Sequence, residues 1–307
     1  MLAADDIAFY RENGYLMVED AVSAEQLARL KEITYALIEN SRAVSESDDV
    51  YDLDDGHSAD QPRLTRIKLP HKQDPYYWEV LQDSRMTGVL ASLLGQDTAL
   101  QTSKLNTKAP GGGAAVEWHQ DWAFYPHSND DMLAFGLMLE DVEQENGPLQ
   151  VIPGSHRGPV LSHHSAETGV FCGAIDPDDP LFHPEKAVTL TGKAGSMTVH
   201  HVRALHGSAP NLSDRNRLIL FYECRAADAW PLVGSASYGK LASAGAQALW
   251  DHFSEHMITG DMTTEPRAEA VPMRLPLPPA PDAGSIFKTQ KSGGARSAFS
   301  GREKVEA

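Results

Sequence analysis

Apolar residues change their spacing along this chain, and the change marks where helices give way to strands. Ala4 to Asn13 reads as a short helix stopped at Gly14, and Tyr15-Leu16-Met17-Val18 is an apolar run of strand length. Ser23 and Gln26 have the spacing of a capping box, in which each side chain satisfies the other residue's free amide. Behind that cap Leu27, Leu30, Ile33 and Leu37 recur at helical spacing, which predicts a helix laying one apolar stripe on a sheet. A second helix is predicted from Ser84 through Val89, Leu90, Leu93 and Leu94 to Gly95, a residue suited to the left-handed turn at a helix end.

From Thr98 to Gly158 the chain is strand-rich. Met132 to Leu139 and Leu149 to Ile152 flank the turn signal Asn146-Gly147. Val199-His200-His201-Val202 and Leu218-Ile219-Leu220-Phe221-Tyr222 supply further strands, with Arg217 opening the second. Strands that follow one another without helices between them favour an antiparallel barrel or sandwich over an α/β fold. After Cys224 the pattern alters: residues 241–257 predict a helix weakened near its start by Gly245, and Pro266 to Pro281 holds six prolines, an extended and semi-rigid composition. A basic tail follows with Lys288, Lys291, Arg296, Arg302 and Lys304. The sequence leaves open whether that tail is disordered, wraps a neighbouring subunit or closes over a pocket. The expected organisation is one domain over residues 1–225, N-terminal helices included, and a C-terminal helical and Pro-rich extension over 226–307 that is not an independent domain.

Composition narrows the function classes. With 307 residues and 41% hydrophobic content the chain can bury a sizeable core. No run of about 18 apolar residues occurs, so no transmembrane helix is expected. The acidic start, Met1-Leu2-Ala3-Ala4-Asp5-Asp6, lacks the layout of a secretory signal, and two cysteines, Cys172 and Cys224, fit reduced thiols; cytoplasmic residence is the expectation. The formal charge of −17 argues against a nucleic-acid partner, because phosphate binding relies on Lys and Arg. Much of the acidity lies in Glu46 to Asp60, whose spacing fails the calcium-loop pattern and which reads as a solvated loop or a lid.

Against that background Trp118-His119-Gln120-Asp121, His206-Gly207-Ser208 and Arg217 form an ordered constellation. His119 and Asp121 lie two apart, so one extended segment points both to the same side. With a distant His they make a 2-His-1-carboxylate set, the facial triad of non-haem iron(II) oxygenases. A guanidinium such as Arg217 is a bidentate clamp for a carboxylate. His200 and His201 alternate along a strand, so only one of them can face inward, and His156, His163 and His164 are read as structural.

These residues, with Asn146-Gly147-Pro148-Leu149-Gln150-Val151-Ile152-Pro153-Gly154-Ser155-His156 between them, resemble the phytanoyl-CoA dioxygenase family of Fe(II)/2-oxoglutarate oxygenases. The resemblance runs from Gly14 to Cys224, with its specific part between Asn106 and Arg217. It implies a double-stranded β-helix (jelly roll), mainly β with flanking helices, in which His119, Asp121 and His206 hold iron. It also implies that Arg217 and Ser208 bind the distal carboxylate of 2-oxoglutarate, with Asn106 and Gln120 near its other end. The activity implied is hydroxylation of a small molecule with O2, releasing succinate and carbon dioxide. Retention of Asp121 separates the chain from related halogenases, in which a small residue stands at that position. Desaturation or ring formation on the same site, a catalytically silent metal-binding jelly roll, and a zinc enzyme remain as alternatives; Arg217 and Ser208 have no obvious purpose in the last.

For the prime substrate, three aromatic residues follow the metal motif directly: Trp122, Phe124 and Tyr125. At least one is expected to line the substrate site, Tyr125 first, because its hydroxyl can orient a polar molecule. In Leu64-Thr65-Arg66-Ile67-Lys68-Leu69, alternation puts Arg66 and Lys68 on one face, where they can meet an anionic substrate; the competing reading is an edge strand protected by charge. Arg63 and Lys72 lie close by, which leaves a coenzyme A thioester open as substrate. Association of copies of the chain is also left open.

Overall fold

The structure is a computed structural model describing residues 1–112, 115–232 and 245–299. It begins with α1 (Ala4–Asn13), ended by Gly14 in the left-handed region at φ 76°, where a side chain would run into the His156 ring. Strand β1 (Tyr15–Val18) leads to α2 (Ala24–Asn40), whose Ser23 hydroxyl accepts from Gln26 N at 3.1 Å while Gln26 returns a bond to Ser23 N, completing the box. Next come β2 (Tyr51–Leu53), β3 (Leu64–Lys68), the short α3 (Pro70–Gln73) and α4 (Tyr76–Gln82), and α5 (Arg85–Leu93), capped by Ser84. The strand-rich centre is β4 (Thr98–Lys108), β5 (Val116–His119), β6 (Met132–Met138), β7 (Leu149–Val151), β8 (Val188–Leu190), β9 (Met197–His201), β10 (His206–Ser208) and β11 (Arg217–Ala226). The C-terminal part adds α6 (Ala246–Glu255), β12 (Met257–Thr259) and α7 (Ile286–Ser292).

Every strand pairing between these elements is antiparallel. The larger sheet runs β1-β9-β6-β11-β4-β3-β2 with β12 added to β4, and the smaller runs β5-β10-β7-β8. β11 sits near the middle of the larger sheet, and its alternation sorts the two faces. Leu218, Leu220, Tyr222 and Cys224 pack with Leu30 and Ile33 of α2, Val80 and Leu81 of α4, and Met86 and Leu90 of α5. Burying each such large apolar side chain stabilises by roughly 1.5–3 kcal/mol. Ile219 and Phe221, on the other face, line a cavity that the smaller sheet also lines.

Three segments go beyond what the sequence specified. Within the acidic stretch, Asp48 Oδ1 accepts from Val50 N and Tyr51 N and turns the chain into β2, which pairs with β3; β3 is therefore an interior strand, and Asp52 is buried. α3 and α4 are too short to show a period. In the tail, α7 docks on β5 through Gln290, which donates to the carbonyls of Glu117 and Gly173. Residues 241–244 of the helix expected over 241–257, and Arg302 and Lys304 of the tail, lie outside the described residues.

Candidate metal centre and co-substrate pocket

The cavity between the sheets is lined by β4, β5, β10, β11, Asp121 after β5, Leu149 of β7, His200 of β9 and Ile286 of α7. His119 closes β5, and Asp121 opens the turn after it. His206 opens β10 directly opposite His119 in the antiparallel register, so backbone pairing brings the two rings to a centroid distance of 4.1 Å. One ligand atom from each of His119, Asp121 and His206 falls within 4.8 Å of the others, and all three residues are buried. Both histidines are fixed in one tautomer: Nδ1 of His119 donates to Glu117 O at 2.8 Å, and Nδ1 of His206 to Ala204 O at 2.9 Å. Each Nε2 is left with its lone pair turned to Asp121, at 3.5 and 3.8 Å from its carboxylate oxygens. Carbonyl support of this kind is what a metal-binding imidazole requires.

The electrostatics suit a cation. Burial alone would raise the Asp121 carboxyl, but the Lys104 ammonium and the hydrogen bond from His200 hold it well below the usual carboxylate range. Burial, with His119 and His200 alongside, pushes His206 well below the ordinary histidine value, so its imidazole is neutral and free to ligate. His200 faces inward and donates from Nε2 to Asp121 Oδ2 at 3.3 Å, which steadies the carboxylate; His201 turns the other way, toward Tyr10 and His156.

At one end of the cavity Arg217 is buried, with Nη2 donating to Gly147 O at 3.0 Å and with Nε and Nη1 unpartnered among the described residues. Burial pushes this guanidinium down to about 9. A buried cation without a counter-charge is costly, and a carboxylate arriving there removes the cost. Ser208 lines the same end. Nearer the triad, Asn106 lines the cavity and accepts from Arg66 Nε at 3.1 Å; Arg66 stands behind that lining, its Nη2 buried without a partner among the described residues and its guanidinium 5.6 Å from the Phe287 ring centre. Lys104 lines the cavity and forms an ion pair with the buried Glu223. Burial, then Asp121 and Glu223, raise the Tyr125 phenol well above its ordinary value, so its hydroxyl stays protonated, directed to those two carboxylates.

Other expected site residues go elsewhere. Gln120, between two ligand-bearing positions, points away by strand alternation; its amide donates to Pro159 O and Arg203 O and accepts from Leu161 N. Trp122 is fully buried among Met132, Val160 and Val202, with Nε1 donating to Pro272 O. Phe124 stands edge-on to the His119 ring at 5.8 Å. Lys68 is held by Asp52 at 3.0 Å and Asp48 O at 2.6 Å, and does not line the cavity. Lys104, Glu223 and His200 were not singled out in the sequence. Two-residue alternation from Asn106 and from Arg217 would have pointed to the first two.

The family model for "Phytanoyl-CoA dioxygenase (PhyH)" matches residues 10–219. The chain belongs to the phytanoyl-CoA dioxygenase family. Among curated relatives it is 35% identical over 285 residues to a probable alpha-ketoglutarate-dependent hypophosphite dioxygenase of Stutzerimonas stutzeri, covering 92% of this chain and 95% of that one. It is 27% identical to an ectoine dioxygenase of Bordetella bronchiseptica over 241 residues, 72% of this chain and 74% of the other. Among solved structures, EctD from S. alaskensis with bound Fe aligns with a TM-score of 0.60 at 25% identity, covering 74% of this chain and 77% of that one. This phytanoyl-CoA dioxygenase family member is an Fe(II)- and 2-oxoglutarate-dependent dioxygenase that uses O2 to hydroxylate a small molecule. Among its described residues no helix is long and apolar enough to cross a membrane.

Proposed function

We propose that His119, Asp121 and His206 hold the iron, that Arg217 and Ser208 bind the distal carboxylate of 2-oxoglutarate, and that the prime substrate is a small anion received by Arg66 and Lys104. The observation that carries this reading is a pair of guanidinium groups, on the two strands flanking β4, each with buried N–H donors that nothing among the described residues satisfies. We read the two sheets as the walls of a double-stranded β-helix over residues 1–225. Residues 226–307 are an extension of it: β12 pairs with β4, and Ile286 lines the cavity. Two free, buried cysteines support action in the cytoplasm.

The residues fit the metal by tautomer, charge and burial, and bound iron(II) supplies the redox chemistry that couples decarboxylation of 2-oxoglutarate to hydroxylation. The protein's part is positional. Carbonyl bonds aim the two Nε2 atoms, His200 steadies Asp121, and Tyr125 keeps its proton, directed to Asp121 and Glu223. Substrate size is limited, because the cavity has to accept 2-oxoglutarate as well. A coenzyme A thioester is disfavoured: Arg63 is bound to Asp54 and Pro110 O, and Lys68 to Asp52, so these cations are not gathered for phosphates. The similarity to a probable hypophosphite dioxygenase makes a compact phosphorus oxyanion the first choice. The test is succinate release with Fe(II) and 2-oxoglutarate under air, in the presence of hypophosphite, phosphite, ectoine or proline. Stimulation by an oxyanion is expected; stimulation by the zwitterions alone removes the anion assignment.

A further inference from the structure

Beside Arg217 on the same face lies a second buried cation. Lys108 ends β4 directly opposite Arg217 in the β4–β11 register and is almost fully buried. Among the described residues neither cation is paired with a carboxylate. The Lys108 ammonium donates to Ser208 Oγ at 2.7 Å, to Ser208 O at 3.0 Å and to Ala209 O. Burial, then Arg217, push Lys108 well below the ordinary lysine value, but three oxygens turned to Nζ match the three donors of an ammonium; in that form Lys108 is fully used and Ser208 Oγ accepts from it. The serine hydroxyl keeps one hydrogen, and no bond donated by Ser208 is present among the described residues. Ser208 lines the cavity and Lys108 does not.

The turn at Gly147 makes this arrangement fit. Gly147 sits at φ 77°, and a side chain there would meet Ala209 O at 2.5 Å and Lys108 Cδ at 3.0 Å. Its own carbonyl accepts from Arg217. One glycine thus leaves room for the lysine on one side and anchors the arginine on the other.

We propose that Lys108 is a positioning residue for the co-substrate. It occupies the lone-pair side of Ser208 so that the hydroxyl donates into the cavity, and it thereby makes this end select 2-oxo acids that carry a distal carboxylate. This rests on the reading that the distal carboxylate of 2-oxoglutarate lies at Arg217, and it adds how that end is set.

The experiment is calorimetric binding of 2-oxoglutarate and of 2-oxovalerate, which has the same chain length without the distal carboxylate, to the full chain loaded with Mn(II). Lys108→Met and Ser208→Ala should each weaken 2-oxoglutarate by about tenfold, the size of one hydrogen bond to a charged group. The double variant should be little weaker than either single one, because Lys108 acts through Ser208. Binding of 2-oxovalerate should hold within about twofold throughout, which a general loss of site structure would not allow. Unchanged 2-oxoglutarate binding in Lys108→Met, equal loss of both ligands, or fully additive losses would each overturn the proposal. Should Lys108→Met fail to fold, Ser208→Ala alone still decides whether the hydroxyl distinguishes the two acids. Arg217→Gln separates the levels: if it too leaves discrimination intact, the placement of the distal carboxylate is at fault, and the role of Lys108 falls with it.

Discussion

His119 and Gln290 meet at a single atom: both donate to the carbonyl oxygen of Glu117, His119 from Nδ1 at 2.8 Å and Gln290 from Nε2 at 3.3 Å. A residue of the C-terminal extension therefore shares the group that fixes the tautomer of a metal-facing histidine. Gln290 also accepts from Glu117 N at 3.0 Å and donates to Gly173 O, so it clamps the strand that ends in His119. Gln290→Ala leaves buried backbone groups unsatisfied and should cost about 1–3 kcal/mol in denaturant unfolding. It should also weaken metal binding by up to about tenfold, as loss of outer support does. Unchanged metal affinity would show that the extension only covers the site.

Arg217 and Arg215 share a strand face by alternation, yet the structure separates them. Arg215 is exposed and paired with Glu143, whereas Arg217 is buried. Arg217→Ala should lose about 2–5 kcal/mol of 2-oxoglutarate binding, the cost of leaving a buried carboxylate unpaired. Arg215→Ala should bind it normally. Equilibrium binding to both variants checks this, and the reverse result would place the co-substrate elsewhere.

On the substrate side, Arg66→Met and Lys104→Met should raise the KM of the prime substrate several-fold with little change in that of 2-oxoglutarate. Lys68→Met should change neither, since its charge is spent on Asp52. If Arg66→Met instead raises both constants equally, that guanidinium serves the co-substrate through Asn106, with which it is hydrogen-bonded.

Acid should unfold the protein through its buried neutral histidines. His163 donates from Nδ1 to Leu161 O and accepts from Gln120 N at Nε2, and burial pushes it down to about 3. Below the unfolded value of about 6.5 the unfolded chain binds a proton that the native state refuses, so stability falls as pH drops from 6.5 toward 3. At pH 5 this one residue should cost about 2 kcal/mol relative to pH 7. Urea unfolding of His163→Gln should show the pH slope reduced by one proton in that range; an unaltered slope would mean that His163 is protonated in the native state.

Much of this site was readable in the sequence because strands translate spacing into direction. His119 with Asp121, Arg217 at the head of an apolar run, and Ser23 with Gln26 all follow from local geometry, as does the β11 face that meets the helices. Asn106 was reached through family resemblance, and strand geometry then extends from it to Lys104 and Lys108 on one side of β4. The same alternation turns Gln120 away and Glu223 inward. What local spacing could not supply are contacts between distant segments: Asp52 drawing Lys68 off the cavity, His200 reaching Asp121, and α7 returning from the tail to place Ile286 and Gln290 beside β5. Short helices such as α3 and α4 carry too few turns for a period to emerge.

The central claim is that His119, Asp121 and His206 together make the iron site of a 2-oxoglutarate oxygenase. Its most direct measurement is succinate formation from 2-oxoglutarate under air at limiting Fe(II), which proceeds slowly even before the prime substrate is known. Wild-type protein should form succinate in proportion to iron. His119→Ala, Asp121→Ala and His206→Ala, each folded by circular dichroism, should form none above the metal-free level. Full iron-dependent turnover in any one of the three would remove that residue from the site and contradict the account.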